Sequence, residues 1–213
     1  MNIIHNNQAY GYTKIISYRC DKLEEMNRML ENLDMDKKLP KKEFKVFFES
    51  SQKKLGALQR EFRDRKIPMM LIFEGLAASG KGRLINNLLL CWDPRGFTYN
   101  YVKLSPEESD RYPMLYHYGA RTPARGRITA FGRCWYREIL DRGVEKGQDD
   151  RFFKEGLEMA DSFERQLASD GTLILKFFVH IDRKDQKKRL KKREKDPSSA
   201  WAVTEYDWRQ NRE

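Results

Sequence analysis

The sequence predicts an α/β protein in which a parallel sheet lies between helices on both of its faces, which makes three layers. Apolar segments that indicate buried strands alternate along the chain with amphipathic segments that indicate helices. The apolar segment at residues 69–73 indicates a buried strand, and the long apolar segment at residues 172–180 is typical of a strand covered on both faces. A chain of 213 residues is long enough for one such domain with a helical appendage.

Four strands are predicted, at residues 69–73, 98–102, 127–131 and 172–180. Helices are predicted between them, at residues 83–90, 107–120, 135–142 and 151–169. A longer amphipathic helix at residues 41–65 precedes the first strand, because its apolar residues recur at helical spacing. Strands that alternate with helices in this way predict a parallel sheet.

Three regions are expected along the chain. Residues 1–40 are mixed and polar, and we interpret them as an N-terminal extension with a short helix near residues 22–33. Residues 41–182 hold the leading amphipathic helix and the core. Residues 183–213 begin with a strongly basic segment that favours a helix and is interpreted as a lid.

The charge balance favours a polyanionic partner. Lys and Arg number 42 against 32 Asp and Glu, a formal net charge of +10. Nucleic acid, inorganic phosphate chains and anionic membranes all satisfy this charge. The N-terminus has no secretory pattern, no apolar run approaches membrane-spanning length, and the three cysteines show no paired spacing. We therefore expect a cytoplasmic protein.

A glycine-rich segment between the first core strand and the next helix carries the strongest functional signal. From Gly75 to Lys81 it fits the phosphate-binding pattern G-x-x-x-x-G-K. In this context backbone N–H groups and a helix N-terminus can cradle phosphates, and the lysine reaches their outer oxygens. The alternative interpretation is a structural glycine turn with a solvated lysine. The predicted binding residues are Gly75, Ser79, Gly80, Lys81, Gly82 and Arg83.

Cations that could neutralise a transferred phosphoryl group are predicted in two places. Arg133 follows the third strand, and Arg189 and Arg193 lie four residues apart in the basic segment, on one face of a helix. A lid helix that carries both arginines onto phosphates is one interpretation of this segment. The other is a solvated basic face, which is the usual role of such a run.

Acidic residues that could hold Mg²⁺ are scarce near the glycine-rich segment. Gly82 stands where a serine or threonine would usually place a hydroxyl on the metal, and Gly132 stands where the third strand could supply an acid. Asp93 is a weak candidate metal ligand, because an aspartate before a proline also suits a turn or a helix cap.

Several short motifs together resemble the type-2 polyphosphate kinase family, from about Phe44 to the C-terminus. They are Glu74-Gly75, Gly80-Lys81-Gly82, Asp93-Pro94-Arg95-Gly96-Phe97, Phe131, Arg133, Trp135-Tyr136, His180-Ile181, Asp196-Pro197, Trp201 and Asp207-Trp208. The resemblance implies a phosphate-loop kinase fold with a lid. It also implies transfer of phosphate between inorganic polyphosphate and nucleotides such as AMP or ADP, with Mg²⁺.

Residues 105–114 and 186–191 are more similar to the N-terminal half of tandem polyphosphate:AMP phosphotransferases. Active members of the family carry aspartates where this chain has Ala77 and Gly132, and the resemblance implies that those aspartates hold the metal. Loss of one such electrostatic contact typically costs ~3 kcal/mol of barrier. We therefore expect impaired catalysis, and we expect the closing helices of the family domain to be missing after Glu213.

Three functional interpretations remain open. The chain is an enzyme that phosphorylates nucleotides from polyphosphate, or a binding half-domain that supports a partner catalytic domain. The third alternative is a nucleic-acid-binding or purely structural basic α/β module, which is weaker because no groove-reading helix or RNA-stacking sheet is evident. We expect no membrane or nucleic-acid partner, and a homo-oligomer stays open.

Overall fold

A computed structural model of the protein describes residues 39–145 and 147–212, so the helix predicted near residues 22–33 lies outside them. Its strands are β1 (Met69–Gly75), β2 (Phe97–Tyr101), β3 (Ile128–Arg133) and β4 (Leu173–Val179). They form one sheet in the order β2-β3-β1-β4, and every neighbouring pair is parallel. The predicted α/β class with a parallel sheet is confirmed.

Helices connect and cover these strands. They are α1 (Lys41–Asp64), α2 (Lys81–Leu89), α3 (Pro106–Arg111), α4 (Tyr116–Gly119), α5 (Trp135–Glu145), α6 (Asp150–Ser169), α7 (Arg183–Glu194) and α8 (Glu205–Arg212). Short 3-10 turns lie at Pro94–Gly96 and Ala200–Ala202. Among the helices of the described residues, none combines the length and apolarity needed to cross a membrane.

The two faces of the sheet bury two separate cores. Successive residues of a strand point to opposite faces, so Leu71 enters one core and Ile72 the other. The Leu71 core contains Ile85 of α2, with side chains of α1 packed against it. The Ile72 core contains Trp135 of α5, with α6 beyond it. This arrangement is the predicted three-layer architecture. The expectation that β4 is covered on both faces is wrong, because Leu173 and Phe178 are exposed and most of the strand is only half-buried at the edge of the sheet.

The prediction of one continuous helix at residues 107–120 is wrong, because the structure has two short helices there. α3 ends at Arg111, and Tyr112 adopts an extended conformation with φ −125° and ψ 151°. Pro113 explains the break, since a proline lacks an N–H donor and disfavours helical geometry in the residue before it.

Close packing between α5 and α6 supplies a test of the fold. A Cβ atom at Gly156 would lie 2.9 Å from Cγ2 of Ile139, so the two helices approach closely at this point. Ile139 is 1% exposed, whereas the neighbouring Leu140 is 53% exposed. We expect Ile139→Ala to lower the free energy of unfolding by about 2–5 kcal/mol in urea titrations. The control Leu140→Ala should change it by less than about 1 kcal/mol, and similar losses in both variants would contradict this packing.

Candidate phosphate-binding site

The glycine-rich segment forms a loop between β1 and α2, at the edge of the sheet where the strands end. Gly75 has φ +140°, and a Cβ atom there would overlap the carbonyl oxygen of Val179 on β4. Gly80 caps α2 with φ +105°. Both positions therefore require glycine. Ala78 also has a positive φ, 56°, which is uncommon for a residue with a side chain and recurs at functional sites.

Side chains of α7 hold the carbonyl groups of this loop. Gln186 Nε2 donates to the carbonyl of Ala77 at 3.1 Å. Arg189 Nη1 donates to the carbonyls of Ala78 and Ser79 at 3.2 and 3.0 Å. These hydrogen bonds fix the loop carbonyls, and the N–H of Ser79 donates to the carbonyl of Leu76 at 3.3 Å. The N–H groups of the first turn of α2 are then the main backbone groups that can meet an anion.

Lys81 is the cation nearest to these amides along the chain. Its Nζ donates to the carbonyl of Gly75 at 3.3 Å, so the side chain folds back over the loop. Burial lowers the pKa of Lys81, and the negative charge of Glu74 partly opposes that shift. A partly desolvated ammonium gains more from an anionic ligand than an ammonium in water does.

A cavity of about 270 Å³ lies beside the loop and receives several of the predicted binding residues. Ser79, Gly80 and Arg83 line it, together with His180 and Arg189. The side chain of Ser79 is buried, and its Oγ has no hydrogen-bond partner among the described residues. A buried hydroxyl without a partner is costly, so this Oγ is a group that a bound ligand oxygen could satisfy.

Arg133 is held by a carboxylate that the sequence interpretation missed. Asp141 accepts a hydrogen bond from Arg133, and Arg137 Nε lies 3.0 Å from Asp141 Oδ1. The hydroxyl of Tyr206 donates to the same carboxylate at 2.6 Å. The spacing of Arg137 and Asp141, four residues apart on α5, is the sequence signal that could have revealed this cluster.

α8 reaches the loop from the C-terminal side. Gln210 Oε1 accepts a hydrogen bond from the backbone N–H of Ala77 at 3.1 Å. Asn211 Nδ2 donates to Gln186 Oε1 at 2.9 Å, which joins α8 to α7. One of the loop amides is therefore occupied by a side chain of the protein itself. Nothing local in the sequence marks Gln186 or Gln210 for these roles.

Arg189 and Arg193 have different surroundings. Arg189 contacts the loop carbonyls described above, whereas within the described residues Arg193 makes no hydrogen bond to the loop through its side chain. Arg193 is exposed near the end of α7, and its backbone carbonyl accepts a hydrogen bond from Ser199. The structure thus brings one of the two predicted lid arginines to the loop.

The structure does not bring Asp93 to the loop. Asp93 lies after α2 and shortly before the start of β2. The first residue of β2 pairs with the first residue of β3, so Asp93 lies at the edge of the sheet where the strands begin, opposite the loop. Its carboxylate caps the 3-10 turn and meets Arg95 Nη2 at 2.7 Å. The hydrogen bonds to Arg95 lower the pKa of Asp93 to about 2.

The donor set at the loop edge does not fit a magnesium ion held by the protein. Ala77 and Gly132 have no side-chain oxygen, and the carboxylate of Glu74 accepts hydrogen bonds from the backbone N–H and Sγ of Cys134 at 3.2 and 3.0 Å. Within the described residues, no group of three or more His, Cys, Asp or Glu side chains could hold a metal. Mg²⁺ usually takes one or two protein carboxylates and completes its octahedral shell with waters and substrate phosphates. A metal at this loop would therefore be held mainly by the phosphate ligand, with Asp185 as the carboxylate that lines the cavity.

Comparison with known proteins gives a family. Residues 38–213 match the family model for polyphosphate kinase 2. The polyphosphate:AMP phosphotransferase of Pseudomonas aeruginosa is 32% identical over 181 residues, which are 85% of this chain and 36% of that protein. The corresponding protein of Pseudomonas syringae pv. tomato is 30% identical over the same shares.

A solved structure agrees with the sequence match. The crystal structure assigned to polyphosphate kinase 2 of Pseudomonas aeruginosa PA01 superposes with a TM-score of 0.79 and 32% identity, over 86% of this chain and 40% of that chain. The chain therefore spans less than half the length of these relatives. Because the family model, the relatives and the solved structure agree, this chain belongs to the polyphosphate kinase 2 family.

Proposed function

We propose that this chain binds inorganic polyphosphate, and the phosphate groups of AMP or ADP, at the loop between β1 and α2. The observation that carries the proposal is that three kinds of anion ligand occur together in the loop and the first turn of α2. They are the first-turn N–H groups of α2, the partly desolvated Lys81 and the unpartnered hydroxyl of Ser79. Together they match the oxygens of a phosphate chain.

The family reaction that such binding would serve is phosphoryl transfer between polyphosphate and a nucleoside mono- or diphosphate. The names of the relatives support this choice, because each name pairs polyphosphate, which carries the phosphate, with the nucleotide AMP. Phosphoryl transfer depends on positioning and on cations that offset the charge of two polyanions. Binding of both substrates is the part of that task for which this loop is best equipped.

Turnover by this chain is proposed to be weak. Ala77 and Gly132 supply no acid for a metal, and the charges of Arg133 and Arg137 are already paired with Asp141. Loss of one transition-state contact typically costs about 10²- to 10³-fold in kcat. A role as a binding half that supports an active partner domain follows from this reasoning.

The first test separates binding at the loop from binding on the exposed basic face of α7. We expect Lys81→Ala to raise the Kd for polyphosphate about 10- to 100-fold in calorimetry, because a charged hydrogen bond to the ligand is lost. The control is Lys191→Ala, which removes an exposed cation from α7 and should change Kd less than about 5-fold. Equal losses in the two variants would contradict binding at the loop.

The same pair of variants tests catalysis in an assay of AMP, ADP, GDP and ATP turnover with long-chain polyphosphate and Mg²⁺. The proposal predicts binding with little or no turnover. Efficient turnover in the wild-type protein that disappears in Lys81→Ala would retain the binding site and overturn the claim of weak catalysis.

The pKa of Lys81 predicts a pH dependence. Burial holds it below the ordinary value of 10.5, so with rising pH the free protein loses this positive charge earlier than an exposed lysine would. Polyphosphate affinity should therefore begin to fall at a pH below 10.5. In Lys81→Arg the charge persists, because arginine stays protonated, and the alkaline fall should be reduced. Superimposable pH profiles of the two proteins would show that Lys81 does not contact the ligand.

Gln210 is expected to compete with phosphate for the N–H of Ala77. We expect Gln210→Ala to tighten binding of tripolyphosphate about 2- to 10-fold, since a hydrogen bond of ordinary strength no longer has to be broken. Gln166→Ala, on the exposed face of α6, is the matched control. Weaker binding in Gln210→Ala would mean that this side chain orders the loop or touches the ligand.

A further inference from the structure

The place of the missing acid at position 132 is filled by a tyrosine from the neighbouring strand. A Cβ atom built on Gly132 would overlap the hydroxyl oxygen of Tyr99 and come within 2.8 Å of its Cζ. The backbone of Gly132 is outside the left-handed region. Space for Tyr99, and not backbone conformation, is therefore the reason that position 132 suits glycine, and any side chain there would displace the ring.

The pairing of β2 with β3 puts the ring in this place. Tyr99 pairs with Ala130, and Asn100 pairs with Phe131. The register then shifts, so that Tyr101 pairs with Arg133 and Gly132 is left without a partner on β2. The irregularity at the end of the pair leaves room for the ring of Tyr99 to lie over the extra residue.

The same register places Tyr99 on the α2 side of the sheet. Its partner Ala130 belongs to the core that contains Ile85 of α2, and paired residues of neighbouring strands point to the same face. α2 begins at Lys81, at the edge of the sheet where β3 ends with Gly132 and Arg133. The hydroxyl of Tyr99 therefore lies at the same edge and on the same face as the helix N-terminus of the proposed phosphate site.

A phenol at this place has chemistry opposite to that of a carboxylate. An ionised carboxylate accepts hydrogen bonds and binds cations, whereas a neutral phenol donates a hydrogen bond. Burial raises the pKa of Tyr99, so its hydroxyl keeps the proton at neutral pH. Tyr99 is 42% exposed, and within the described residues its hydroxyl donates no hydrogen bond. The group is thus available to an external acceptor.

We propose that Tyr99 takes the place of a metal-binding side chain at position 132 and donates a hydrogen bond to a phosphate oxygen of the bound chain. Inorganic polyphosphate then binds to this protein without a divalent cation. The inference rests on the proposed phosphate-binding function. It adds a ligand-contacting residue and a metal-independent mode of binding to it.

The experiment is calorimetry with tripolyphosphate, carried out once with a chelator and once with Mg²⁺. The variants are Tyr99→Phe, which keeps the ring and removes the hydroxyl, and Tyr112→Phe as a control at another partly exposed tyrosine. We expect the wild-type protein to bind at least as tightly with the chelator as with Mg²⁺. We also expect Tyr99→Phe to bind about 3- to 10-fold more weakly with the chelator, and Tyr112→Phe to be unchanged.

A second variant tests directly whether an acid at position 132, in place of the Tyr99 hydroxyl, makes phosphate binding depend on a metal ion. In the double variant Tyr99→Ala with Gly132→Asp, the smaller side chain at 99 makes room for the acid. Binding of tripolyphosphate should become dependent on Mg²⁺, with weaker binding in the chelator than the wild-type protein shows. A melting curve with a cooperative transition confirms that this variant is folded before its binding is interpreted.

The outcomes distinguish the two proposals. If wild-type protein binds tripolyphosphate only with Mg²⁺, the metal-independent mode is overturned and the phosphate-binding function remains. If Tyr99→Phe binds as the wild type does, the role of Tyr99 is overturned. If the wild-type protein binds under neither condition, the proposed function itself fails, and the inference fails with it.

Discussion

The hydrogen bonds from α7 to the loop carbonyls are the interaction on which the rest of the site depends. Gln186 and Arg189 occupy the carbonyls of residues 77–79, and the chain reversal that exposes the amides needs the positive φ angles of Ala78 and Gly80. α7 is therefore a structural part of the cradle as well as a basic surface. Gln186 is 1% exposed, which is rare for a glutamine and reflects this role.

The groups at the loop edge combine one partly desolvated lysine with two arginines that are already paired with a carboxylate. Lys81 contributes a positive charge that is partly removed from water, so an anionic ligand would stabilise it more than it stabilises an exposed lysine. The two arginines of α5 and β3 share Asp141 with Tyr206 of α8, so their charges are already partly offset. A kinase must offset the charge of two polyanions in the transition state. The proposal of binding with weak turnover rests on this partial pairing of the two arginines.

Local patterns predicted the strands, the loop and most of the helices, because periodicity and glycine spacing are local signals. The break before Pro113 is a local signal too, because a proline disfavours helical geometry in the residue before it. The direction of α2 was also predictable and would have placed Asp93 at the far edge of the sheet. The roles of Gln210 and Tyr99 were not predictable, since each joins residues far apart in sequence or depends on a register shift. In the sequence, Gly132 indicates only that an acid is missing. The structure adds that the ring of Tyr99 occupies the space that a side chain at position 132 would need.

Hydrogen exchange with mass spectrometry, with and without polyphosphate, tests the central claim most directly. If the loop amides hold the phosphate chain, exchange should slow in peptides that cover residues 74–84, and Lys81→Ala should reduce that protection. Peptides from the exposed basic face of α7, at residues 187–195, should change little. Protection confined to residues 187–195, with none at the loop, would contradict the account and indicate a nonspecific charged surface.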